Sequence, residues 1–103
     1  MNFLTASEFT GQRAWDAQSI AEIDGASVRL HWTDEAYIWH VNDGEEVFVV
    51  LDGEVDMQFR QGDNEEIRRM QPGDICHARA GAEHKAVSLG AARILVIERK
   101  GSL

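Results

Sequence analysis

Tight-turn pairs recur along this chain at intervals of roughly ten residues. Asp24-Gly25, Asp43-Gly44, Asp52-Gly53 and Gly62-Asp63 are the clearest, with the polar turn Thr33-Asp34-Glu35 between the first two. Glycine takes positive φ at little steric cost and aspartate tolerates it, so such pairs reverse the chain. Between them the residues alternate, as in Val55, Met57 and Phe59 against Glu54, Asp56, Gln58 and Arg60. No stretch has the apolar spacing of a helix of three turns. The pattern predicts an all-β chain of eight or nine short strands, an antiparallel barrel or sandwich with little or no helix.

In chain order, residues 1–18 read as an N-terminal arm in which Ser7 can cap a short turn and Trp15 pins the arm to the barrel. Strands are expected from Ser19 to Ile23 and from Ser27 to Trp32, joined as a hairpin at Asp24-Gly25. In the second strand Val28, Leu30 and Trp32 alternate with Ser27, Arg29 and His31, giving one buried face and one wet or partner-facing face. Further strands are expected from Glu46 to Leu51, Val55 to Arg60, Glu65 to Met70, Ala86 to Leu89 and Arg93 to Glu98. The tail from Arg99 to Leu103 reads as loose. The whole is one domain over 1–103, its barrel spanning about 19–98.

Charge narrows the partners. A formal net charge of −8 repels nucleic acid and anionic membrane, so neither is expected. The single cysteine, Cys76, allows no internal disulfide and suits a reducing compartment. With no long apolar run and no basic-then-apolar leader, a cytoplasmic location is expected.

Two stretches carry groups capable of chemistry. In Tyr37 to Gly53, the potential ligands His40, Asn42 and Glu46 flank the turn Asp43-Gly44. That reads as strand, sharp turn, strand, with polar groups converging into the enclosed space. In Gln71 to His84, a Pro72-Gly73-Asp74 turn, a short strand and a second turn deliver another histidine.

Together these stretches resemble the two motifs of the cupin superfamily, over about Ala21 to Glu98. His40 matches the first histidine of the first motif, Glu46 its glutamate and Gly53 its closing glycine. Asn42 stands where the second histidine would be. In the second motif Pro72-Gly73-Asp74, Gly81 and His84 match, while Arg79 replaces the turn proline. The resemblance implies a jelly-roll barrel, a homodimer and one divalent transition metal held by His40, Glu46 and His84.

Imidazole nitrogen with carboxylate oxygen suits Fe, Mn, Ni or Zn. Asn42 would be a weak ligand, or would orient a water or substrate. Ile38 and Phe48 are expected to line the pocket, Trp39 to serve as core or lining, and His31 and His77 to lie on the surface or behind the ligands. Cys76 reads as a small buried hydrophobe. The implied function is a metal-binding protein acting on or sensing a small polar metabolite. If it is an enzyme, it is isomerase- or dioxygenase-like. The alternatives are a metal-free ligand-binding or regulatory module and a structural dimer with a vestigial His-Glu-His cluster. No basic cluster for a phosphate is evident apart from Arg68-Arg69 and an isolated Arg79.

Overall fold

The computed structural model describes residues 1–99. Among the described residues nine strands form: β1 (Asp16–Ile23), β2 (Ala26–Thr33), β3 (His40–Val41), β4 (Glu46–Asp52), β5 (Val55–Gln61), β6 (Asn64–Met70), β7 (Ile75–Ala78), β8 (Glu83–Ser88) and β9 (Ala92–Arg99). They make two antiparallel sheets, one ordered β1-β2-β9-β4-β7 and the other β3-β8-β5-β6. Helical structure among the described residues is one 3₁₀ turn, Ala6–Glu8. This is the all-β jelly-roll arrangement expected. Of the tail, Arg99 ends β9; residues 100–103 lie outside the described residues.

Two turn pairs close hairpins. Asp24 and Gly25 take φ of 48° and 82°, as a type I′ turn requires, and Ile23 pairs with Ala26 across them. Gly62-Asp63 leaves Gln61 opposite Asn64. The other two pairs also join strands, but strands of different sheets: β3 to β4 at Asp43-Gly44, and β4 to β5 at Asp52-Gly53. Gly53 is required there. Its φ is +76°, and a Cβ would stand 2.4 Å from the Ala91 carbonyl oxygen.

The core lies between the sheets. Phe48, Val50, Ile94 and Val96 from one sheet meet Val55, Met57, Met70 and Ala86 from the other. Val50 and Ile94 pair in register and are both fully buried. Each such side chain contributes about 1.5–3 kcal/mol of burial.

Strand β2 corrects the expected faces. Arg29 pairs with Val96 and His31 with Ile94, so the polar set Ser27, Arg29 and His31 faces inward. Val28, Leu30 and Trp32 lie on the outer face, where Leu30 is nonetheless buried. The N-terminal arm crosses that face: the Arg93 guanidinium donates to the Phe9 carbonyl at 2.9 Å and bonds Asp52 at 2.6 Å. Trp15 is the expected anchor, packed against the core edge. It is held at φ 58°, an uncommon backbone state for a bulky residue.

Candidate metal centre

The turn at Asp43-Gly44 changes sheets, so it sets His40 and Glu46 on facing walls. His84 is the second residue of β8, which begins earlier than the sequence suggested. It pairs with His40 across β3 and β8, bringing the two rings to 4.3 Å between centroids. One ligand atom from each of His40, Glu46 and His84 lies within 4.8 Å of the others. Glu46 is 7% and His84 4% exposed.

Backbone carbonyls fix both imidazoles. His40 Nδ1 lies 3.0 Å from the Ile38 oxygen and His84 Nδ1 3.1 Å from the Ala82 oxygen. A carbonyl only accepts, so each Nδ1 donates and each neutral ring keeps its lone pair on Nε2. His84 Nε2 is buried with no hydrogen-bond partner, and faces Glu46 Oε1 at 3.4 Å. That is long for a hydrogen bond, and it sets an unprotonated nitrogen against a carboxylate oxygen. A cation or a proton belongs between them. Two nitrogens and a carboxylate oxygen fit Fe, Mn, Ni or Zn.

Asn42 is fully buried. Its Nδ2 donates to Glu46 Oε2 at 2.9 Å, leaving Oδ1 without a partner. Its backbone carbonyl accepts from Gly81 at 3.0 Å, tying the first motif to the turn of the second. Burial alone would raise the Glu46 pKa, but the adjacent His84 ring and the hydrogen bond from Asn42 hold it below the usual value. For His84 burial pulls the pKa down and the Glu46 carboxylate more than offsets it, so the net direction is up.

Glu98 was missed from the sequence. It stands opposite Glu46 in register, and burial, then the hydrogen bond to Glu46, push its pKa up to about 7. The signal was available: Glu98 continues the Ala92, Ile94, Val96 phase that faces the core.

All three candidate ligands line a cavity of about 230 Å³, joined there by Trp15, Arg29, His31, Tyr37, Phe48 and Glu98. Phe48 is part of that lining, whereas Ile38 is 66% exposed and borders neither this cavity nor its neighbour. His31, expected on the surface or behind the ligands, lines the cavity, and burial lowers its pKa. His77 is exposed and bonds Glu45 at 2.7 Å. Trp39 lies under the Arg60 guanidinium, 3.9 Å from the ring centroid. Cys76 is half-buried beside the core, and burial raises its pKa.

The fold recurs among solved structures. A cupin-2 domain containing protein from Shewanella frigidimarina is 28% identical, with a TM-score of 0.77 over 91% of this chain and 87% of that one. A cupin superfamily protein from Desulfitobacterium hafniense is 18% identical, with a TM-score of 0.77 over 91% and 85%. The hydroquinone 1,2-dioxygenase PnpCD, in complex with Fe3+, is 19% identical, with a TM-score of 0.74 over 87% of this chain and 29% of that one. No match is found among curated proteins. The family model for the cupin domain matches residues 26–98, and the chain belongs to that family.

Proposed function

We propose that this cupin holds one divalent transition metal at His40, Glu46 and His84, and acts on or senses a small polar metabolite in the adjoining cavity. The observation that carries the reading is the pair of imidazoles, each with Nδ1–H bound to a carbonyl, with ligand atoms close to one buried carboxylate and His84 Nε2 left without a partner. Carbonyl partners of this kind orient histidines for metal binding. A similar fold is seen with Fe3+ in the dioxygenase PnpCD. A bound metal would supply Lewis acidity toward a carbonyl or enediol oxygen. The chain itself supplies the rest. Arg29 and Tyr37 offer donors at the cavity wall, Trp15 closes one side, and Glu98 carries a proton near neutral pH.

The alternative is a metal-free ligand-binding cupin. It is favoured by Asn42, whose amide stabilises the Glu46 carboxylate without an ion. Metal analysis of protein purified without a chelating tag, with anomalous diffraction at the site, separates the two. The proposal expects about one transition-metal ion per chain between Nε2 of both histidines and Glu46. An ion bound elsewhere, or a chain that takes up none when metal is supplied, contradicts it.

A homodimer and a cytoplasmic location belong to the same proposal. On the outer face of the five-stranded sheet, Val47 pairs with Ile97 and Val49 with Leu95, making a half-buried apolar strip suited to a second copy. Analytical ultracentrifugation tests it. The single cysteine supports the location; no helix among the described residues is long and apolar enough to cross a membrane.

A further inference from the structure

A second cavity, of about 530 Å³, opens between the edge strands β6 and β7, and His84 is the wall it shares with the first. Its floor is apolar and sulfur-bearing, with Met57, Phe59, Met70, Cys76 and Ala78. Arg68 and Arg79 also line it. The strand register explains Arg68. It pairs with Met57, and Met70 with Val55, so Arg68 occupies the inward phase of β6. Arg79 follows Ala78, which pairs with Glu46 on the inner face, and it stands where the cupin motif has its turn proline. Two residues that looked unrelated in sequence therefore border one cavity.

The other charges there are committed. Arg60 pairs with Glu83 and Glu65, and Arg69 with Asp56 at 2.9 Å. His77 pairs with Glu45, and Asp74 accepts from the Gln71 amide at 2.8 Å. Among the described residues no carboxylate pairs with Arg68 or Arg79. In a chain of net charge −8, two unpaired guanidiniums beside an apolar floor make a local site of opposite sign.

We propose that this cavity binds a small organic carboxylate, its carboxylate meeting Arg68 and Arg79 and its apolar body resting on Met57, Phe59 and Met70. Guanidinium forks match a carboxylate in plane. Asp74 and Glu83 border the same cavity, so a monoanion is favoured over a dianionic phosphate. The assignment rests on the metal-binding reading only at the ligand's far end, where His84 forms the wall.

The test is isothermal titration of phenylacetate, its neutral isostere phenylacetamide, and inorganic phosphate, each into metal-free and Mn(II)-loaded protein. Phenylacetate should bind both forms and weaken as salt rises. Phenylacetamide should bind about tenfold or more weaker, and Arg68→Gln and Arg79→Gln should each weaken phenylacetate by about tenfold or more. Both arginines are exposed, so these variants should keep the wild-type Tm. Arg68→Lys and Arg79→Lys should retain part of the affinity, keeping charge without the fork. The proposal is overturned if phenylacetate does not bind, if the amide binds as well as the acid, if the glutamine variants bind as wild type, or if phosphate is preferred. Arginine-dependent phenylacetate binding in a protein that takes up no Mn(II) would defeat the metal reading alone. Mn(II) uptake without phenylacetate binding would defeat this one alone.

Discussion

Nε2 of His84 faces Oε1 of Glu46 at 3.4 Å, and the ring's own N–H is spent on the Ala82 carbonyl. In the neutral ring two electron-rich atoms therefore oppose each other inside a barrel. Water is largely excluded, since both side chains are less than one tenth exposed. Such an arrangement persists only with a positive charge between the atoms. A proton can fill that place, in keeping with the Glu46 carboxylate raising the pKa of His84 against the effect of burial. In the proposed function a metal ion would serve better, because His40 would also offer it a ring nitrogen.

Asn42 acts on that centre through Glu46, to which its amide donates at 2.9 Å. Asn42→Leu keeps the side-chain volume in this fully buried position and removes the donor. Metal affinity should fall by about 10–100-fold, the usual effect of losing a hydrogen bond that orients a ligand. Competition against a chromophoric chelator measures it. Unchanged affinity would show that the amide does not position the carboxylate.

Glu98 should make the metal-free protein sensitive to pH. Folding raises its pKa from 4.5 to about 7, so the folded state favours the protonated form. That stability is fully present below about 4.5 and is lost as pH rises through about 7. Glu46 acts in the opposite sense, its contribution being lost in acid. The Tm of metal-free protein should fall between about pH 5 and 8, and Glu98→Gln should flatten the fall. A slope as steep in the variant as in the wild type would remove Glu98 from this account.

Gly53→Ala should destabilise the fold. The new Cβ meets the Ala91 oxygen at 2.4 Å and Ala92 Cα at 2.9 Å, both backbone atoms, with φ at +76°. Strain of this kind costs about 1–3 kcal/mol, and each kcal/mol lowers Tm by about 4–8 °C in a domain of this size. A thermal melt reads it directly. A wild-type Tm would mean that the β4–β5 turn relaxes freely.

What could be read from the sequence was what is local. Asp24-Gly25 and Gly62-Asp63 specify hairpins by their own conformational preferences, and the alternation after Gly53 marks β5. Whether a turn stays in one sheet depends on distant strands, so Asp43-Gly44 gave no sign that it crosses between sheets. Alternation in β2 separates two faces without saying which is inside. Here the inward face is the polar one, because it borders the cavity. Ile38 shares parity with His40, but β3 begins only at His40, so the phase does not extend back to it. His40, Glu46 and His84 were legible through motif spacing. Glu98 could have been read from the Ala92, Ile94, Val96 phase, but its place opposite Glu46, like that of Arg68 opposite Met57, follows only from the strand register.

Titration of metal-stripped protein shows whether His40, Glu46 and His84 act as one metal-binding unit. Mn(II), Ni(II) and Zn(II) are titrated into wild type, His40→Ala and His84→Ala, with circular dichroism confirming that each variant remains folded. Wild type should bind one ion per chain, and each substitution should abolish binding, because either loss removes one of three ligands. A wild type that binds none of these ions, or folded histidine variants that bind as tightly as wild type, would contradict the account.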